Sequence, residues 1–126
     1  MSESNPKASL KALFPKPIDC GLGVEVMPLT LGHYALLEKI GSYLVSGDHT
    51  PDSMEVVRTY YVCTHSAREV LADFDNLDAR AFDWAETLPP SINAAIANAI
   101  LEQIDAMAKV VPIVGDDKKK VPGTDS

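Results

Sequence analysis

The chain has 126 residues, of which 46% are hydrophobic and 23% charged, which is the composition of one globular domain. Its formal net charge of −7 argues against binding to a nucleic-acid backbone, because such binding requires a basic surface. The acidic excess lies in residues 20–109, where thirteen acidic and five basic residues give −8. We therefore expect an acidic folded centre with weakly charged ends.

The cysteine content and the apolar runs indicate a cellular compartment. Two cysteines are too few for a disulfide framework, and the N-terminal stretch lacks the uninterrupted apolar region of a secretory signal peptide. No apolar run approaches the roughly eighteen residues of a membrane span. These features predict a soluble protein of a reducing compartment that does not enter a membrane.

The N-terminal part of the chain is predicted to be non-helical. Residues 1–9 are polar and are predicted to be flexible. Pro15 and Pro17 exclude a helix from residues 10–29, and a glycine-rich turn, "CGLG", follows them. The pattern predicts an extended segment or a short β-hairpin with Phe14–Ile18 opposite Val24–Pro28.

The first helix is predicted over residues 30–41, with Thr30 as its N-cap and Gly41 just past its C-terminus. Four residues fall on one helical face, namely His33, Leu36, Leu37 and Ile40. Because no cysteine or carboxylate shares that face with His33, a buried, hydrogen-bonded histidine is favoured over a catalytic one.

The second helix is predicted over residues 51–74, with Thr50 as N-cap and Pro51 at the first position. The inward face comprises Val56, Tyr60, Cys63, Ala67, Val70, Leu71 and Phe74. The outward face comprises Glu55, Arg58, Thr59, His65, Ser66, Glu69 and Asp73. Cys63 therefore points inward and His65 outward, so the two residues cannot share a metal ion or form a nucleophile–base pair.

The third helix is predicted over residues 77–88, and Pro89-Pro90 ends it. Its apolar stripe comprises Ala81, Trp84, Ala85 and Leu88, whereas Phe82 lies off this stripe and is either packed against another element or exposed.

The fourth helix is predicted over residues 91–111 and has an unusually wide apolar face. Two interpretations remain open for this face, which either packs inside the domain as a central helix or contacts another chain. In the second case the partner-binding residues are Ile92, Ile96, Ile100, Ile104 and Met107. Residues 112–126 have the composition of a disordered tail.

Together these elements predict a mainly α fold, with a four-helix domain over residues 10–111, a small N-terminal hairpin or extended segment and a flexible C-terminal tail. The sequence contains no nucleotide-binding glycine motif, no convergent set of zinc ligands and no nucleophile elbow. We therefore expect a non-enzymatic interaction protein without catalytic residues, cofactor or bound metal.

Two stretches, "MPLTLGHYALLEKIGS" and "VVRTYYVCTHSAREVL", resemble the small tail assembly proteins of long-tailed bacteriophages. These proteins are chaperones that coat the tape-measure protein before the tail tube polymerises. The resemblance covers about residues 24–74 and is carried by Leu29, Thr30, Leu31, Gly32, His33, Leu36, Leu37, Glu38, Cys63, Thr64 and Arg68. It implies a chaperone of the host cytoplasm that binds the tape-measure or another tail protein and forms homo-oligomers.

The resemblance also implies a second, longer form of the protein, and it leaves alternative functions open. Members of the family are commonly made in a short form and a frameshifted long form, and Lys118-Lys119-Lys120 could be encoded by a slippery run. A solvated linker is the simpler explanation of these lysines. The main alternative function is a small structural tail or connector subunit of the virion. An enzyme that uses His33 with Glu38 or Tyr34 is disfavoured, because Glu38 lies 140° around the predicted helix from His33.

Overall fold

The computed structural model describes residues 12–111, and within this range the protein is mainly helical, with five α-helices and one antiparallel hairpin. The strands are β1 (Ile18–Gly21) and β2 (Val24–Val26). The helices are α1 (Leu31–Lys39), α2 (Ser53–Cys63), α3 (Ala67–Ala72), α4 (Leu77–Ala85) and α5 (Asn93–Ala108). Short 3₁₀ turns, Phe74–Asn76 and Pro90–Ile92, precede α4 and α5. The predictions for residues 1–9, for residues 112–126 and for the three lysines lie outside the described residues.

The hairpin is present, but its first arm is not Phe14–Ile18 as predicted. Ile18 pairs with Val26, Asp19 with Glu25 and Gly21 with Val24, with an irregular register between Asp19 and Gly21. Pairing begins only after Pro17 because proline has no backbone N–H to donate to a ladder. The turn adopts positive φ at Gly21, Leu22 and Gly23, so the two glycines supply most of the conformational freedom that this turn requires.

The start and the end of α1 follow the predicted capping pattern. The Thr30 hydroxyl accepts a hydrogen bond from the backbone N–H of His33, and Gly41 has a φ of +68° just beyond the C-terminus. Both residues satisfy groups that a helix end leaves without a partner inside the helix.

The predicted second helix is divided into α2 and α3. Helix α2 begins at Ser53 rather than at residue 51, because the Asp52 side chain and not that of Thr50 caps it, at 2.8 Å from the N–H of Glu55. The helix ends after Cys63, and the Ser66 hydroxyl accepts from the N–H of Glu69 to start α3. Serine favours this capping geometry over a place inside a helix, which explains the break.

The break and the packing also correct two predicted faces. Thr59 is completely buried rather than outward, because α2 is covered on that side by Ser42, whose hydroxyl lies 2.7 Å from that of Thr59. Leu71 is 61% exposed rather than inward, because the new start at Ser66 changes the rotation of the helix that follows.

The core forms where the helices and the hairpin meet. Helix α2 packs most extensively against α4, α1 packs against α2 and α3, and α5 packs against both strands. Gln103 of α5 is completely buried, and its Nε2 donates to the carbonyl oxygens of Lys16 (2.8 Å) and Val26 (3.1 Å). The hairpin is thus attached to α5 by apolar packing and by these two hydrogen bonds.

Candidate binding groove

The isoleucine row of the last helix lies mostly inside this chain. Ile92, Ile96 and Ile100 are between 1% and 9% exposed and belong to the core, whereas Ile104 and Met107 are half-buried. The other elements therefore cover most of the surface of the first three side chains, although Ile92 and Ile96 also border the groove described below. Contact of the five residues with a partner stays a prediction.

His33 is buried and hydrogen-bonded, as predicted. Its Nε2 lies 2.8 Å from the carbonyl oxygen of His65, and since a carbonyl can only accept, this nitrogen carries the hydrogen and donates. Its Nδ1 accepts from the backbone N–H of Thr30 at 3.1 Å. Burial lowers the pKa of His33, which favours this neutral form. Both ring nitrogens are engaged, so neither is free to act with Glu38 or Tyr34, and His33 joins the start of α1 to the break between α2 and α3.

Cys63 and His65 lie in different environments, as the helical spacing predicts. Cys63 is completely buried, and burial raises the pKa of its thiol to about 12, which keeps the thiol protonated and unreactive. His65 is half-buried rather than fully outward, because its ring packs on Tyr61 at 4.1 Å between centroids. The two residues form no reactive pair.

The described surface has an apolar groove that the sequence did not predict. This Trp84 groove encloses about 600 Å³ between the first two turns of α2, the C-terminal half of α4 and the start of α5. Its walls are mainly apolar and aromatic and include Val56, Val57, Tyr60, Trp84, Leu88 and Ile96. A groove of this volume and lining is typical of sites that bind apolar ligands or side chains.

Local features of the sequence position the walls of the Trp84 groove. Helix α4 ends at Ala85 rather than at residue 88 as predicted, and Pro89 and Pro90 then turn the chain towards α5, which leaves Leu88 in the connection at the edge of the groove. Trp84 is the only tryptophan of the chain and is half-buried. Its ring makes edge contacts with Tyr61 at 6.0 Å and with His65 at 5.8 Å. These contacts hold the indole in place, so this wall of the groove is present before any ligand binds.

Few polar groups line the Trp84 groove. The Tyr60 hydroxyl donates to Oδ1 of Asn93 at 2.7 Å, and burial raises the pKa of Tyr60, so the phenol stays neutral. Asp52 is exposed at the edge of the groove. The site therefore combines a large apolar area with a small number of polar groups that could orient a ligand.

A charged cluster lies on the loop that leads into the groove. His49 Nδ1 is 2.9 Å from Asp48, and its Nε2 is 2.7 Å from Oε2 of Glu55. The same oxygen of Glu55 accepts from the backbone N–H of Tyr43 at 2.8 Å. Hydrogen bonds to Asp48 and to Glu55 raise the pKa of His49. The cluster attaches the loop of residues 43–52 to the first turn of α2, beside the Asp52 edge of the groove.

The described residues contain no group of three His, Cys, Asp or Glu side chains arranged to hold a metal ion. Within the same range, every helix is too short or too polar to cross a membrane. The predicted apolar stripes of the second and third helices contained five of the residues that line the groove, namely Val56, Tyr60, Trp84, Ala85 and Leu88. The sequence signal was therefore present in Tyr60, Trp84 and Leu88, but their convergence depends on how α2, α4 and α5 pack.

Comparisons of the chain with protein-family models, with curated proteins and with solved structures gave no significant match.

Proposed function

We propose that the protein is a non-enzymatic tail assembly chaperone of a long-tailed bacteriophage, which holds an apolar segment of the tape-measure protein in the Trp84 groove. The observation that carries this proposal is an open apolar groove of about 600 Å³ on an acidic domain. The resemblance of residues 24–74 to such chaperones supplies the identity of the partner and the host cytoplasm as the place of action.

The composition of the groove supports binding rather than catalysis. General acid–base catalysis requires a positioned acid or base beside the reacting group, usually with a second polar group that completes the site. Asp52 supplies the groove with a carboxylate, while His33 is occupied in a structural link and the thiol of Cys63 is buried. Apolar area is what the groove provides in quantity, and apolar area stabilises the binding of an apolar segment.

The charge of the domain supports a chaperone in particular. A protein that binds long, aggregation-prone helices needs exposed apolar area and must itself stay dispersed. Large apolar side chains, among them Leu31, Phe82 and Leu101, are exposed outside the groove. The net charge of −8 over residues 20–109 opposes self-aggregation of this surface. The predicted homo-oligomer remains part of the proposal.

The test is co-expression of the chain with the tape-measure protein of the same genome. Leu88→Gln places a polar side chain in the groove wall without removing a core residue, so we expect a stable domain that binds the partner at least about tenfold more weakly. Leu101→Gln is the matched control, because Leu101 is 62% exposed on α5 and does not line the groove. Recovery of soluble tape-measure protein and the dissociation constant are measured, with circular dichroism to verify folding.

Equal binding by the wild type and the Leu88→Gln variant would contradict the role of the groove. Detection of the polypeptide in purified mature particles would contradict a chaperone that leaves before maturation and would favour the structural subunit. The nucleotide sequence offers an independent check, since a slippery run at the codons of Lys118-Lys119-Lys120 and a very long downstream gene are expected.

A further inference from the structure

We propose that the Trp84 groove selects partner segments in which a lysine or arginine directly follows or precedes the apolar stretch, with this cation placed against Asp52. The inference rests on the proposed function and names the chemistry of the bound segment.

Asp52 is the residue of the groove that carries a formal negative charge, and it has capacity for a cation. One of its carboxylate oxygens accepts the N–H of Glu55 to cap α2, and the side chain is exposed. Among residues 12–111 the carboxylate makes no ion pair with a basic side chain. The N-terminus of α2 lies behind it and offsets part of its charge, but the N–H that faces Asp52 is already used by the cap.

The basic side chains of α2 and α4, and the one that follows α5, are paired with other acids. Arg58 pairs with Asp78 at 2.9 Å, Arg80 with Asp73 at 2.6 Å, and Lys109 with Asp105 at 3.1 Å. The carboxylate of Asp52 at the groove edge is therefore not paired with any basic side chain of α2, α4 or α5. We therefore place the cation that completes this edge on the partner segment.

Loss of water from Asp52 on binding makes the groove selective for the charge of the partner segment. An apolar segment that fills the groove removes water from the Asp52 edge, and a carboxylate that loses water without gaining a partner destabilises the complex. A lysine or arginine beside the apolar stretch compensates this loss, whereas a glutamate there adds repulsion. The acidic charge of residues 20–109 also favours the approach of a basic segment, an effect that salt weakens.

The experiment uses the full chain and three synthetic peptides that share one leucine- and alanine-rich stretch and end in lysines, glutamines or glutamates. Fluorescence of Trp84 reports occupancy directly, because this is the only tryptophan and it lines the groove. We expect the lysine peptide to bind about tenfold more tightly than the glutamate peptide, with the glutamine peptide between them.

Two variants separate a local role of Asp52 from the overall charge. Asp52→Asn keeps an N-capping side chain and removes the charge, so the preference for lysine is expected to fall to about threefold or less. Glu102→Gln makes the same change of net charge on an exposed residue of α5 outside the groove and is expected to leave the preference unchanged.

The outcomes distinguish the two proposals. If all three peptides bind equally, or if both variants reduce the preference to the same extent, the role of Asp52 is overturned while binding to the groove stands. If no peptide alters the Trp84 fluorescence, both proposals are overturned.

Discussion

The two sides of α2 differ in the side chains that they contact. On the side of α1 and α3, polar groups meet inside the fold, where His33 joins the Thr30 N–H to the His65 carbonyl and Ser42 meets Thr59. On the side of α4 and α5, α2 borders the open Trp84 groove, whose walls are mainly apolar. The first side is closed and its polar groups are hydrogen-bonded to one another, whereas no element among residues 12–111 covers the second.

This difference shows where a function can lie. The residues that suggest chemistry in the sequence, His33 and Cys63, are both buried, His33 in hydrogen bonds of the closed side and Cys63 in the core. The open side contains Trp84 and Leu88, which in the sequence suggest only a helix stripe. A histidine on an apolar face is thus a structural group in this protein, and the apolar stripe continues beyond the core into a surface that a partner can cover.

The largest expected effect concerns the core that both sides share. Ile100→Asp places a carboxylate at a position that is 2% exposed, so we expect the free energy of unfolding to fall by more than about 4 kcal/mol. The neighbouring Leu101→Asp is the control, because Leu101 is exposed and the change there is expected to cost less than about 1 kcal/mol. Urea denaturation followed by circular dichroism measures both variants. A folded Ile100→Asp variant would contradict the central position of α5.

An intermediate loss of stability is expected when the hydrogen bonds of His33 on the closed side are removed. His33→Leu removes both hydrogen bonds of the ring and leaves the Thr30 N–H and the His65 carbonyl without this partner, which is expected to destabilise the fold by about 2–4 kcal/mol. Binding of the lysine peptide by the folded variant is expected to stay within about twofold of the wild type, since none of the residues that line the groove is hydrogen-bonded to His33. A stable variant that no longer binds would show that His33 belongs to the functional site.

The predictions that held depend on short local patterns. Thr30 and Gly41 mark the ends of α1 because a cap needs only the residues beside it. The burial of His33 and Cys63 follows from helical spacing over a few turns. The break between α2 and α3 also had a local signal, since Ser66 precedes Glu69 by three residues, but the longer apolar pattern concealed it.

The predictions that failed depend on contacts between distant parts of the chain. Thr59 looks polar and outward until Ser42, seventeen positions earlier, covers it. The wide apolar face of α5 has two possible uses in the sequence, and only the packing of the hairpin and α2 against it assigns Ile96 and Ile100 to the core. The Trp84 groove likewise arises from three elements that no single stretch of sequence brings together.

The smallest expected effect concerns the loop at the edge of the open side. Asp48 and Glu55 favour the protonated form of His49 and raise its pKa, so this interaction stabilises the fold fully below the ordinary value of 6.5 and loses its effect as the pH rises through the raised pKa. The hydrogen bonds from His49 and Ser46 lower the pKa of Asp48, so the contribution of this carboxylate to stability is fully present above pH 3.8 and disappears in more acidic solution.

The stability difference between the wild type and His49→Gln is therefore expected to be largest between about pH 4 and 6.5 and to shrink above that window. Urea midpoints of both proteins across this range measure the difference. His65→Gln controls for the loss of a histidine elsewhere, because the His65 ring packs on Tyr61 and Trp84 rather than on Asp48 and Glu55. A difference that grows as the pH rises would show that His49 is held in its neutral form and that the loop is not attached by charge.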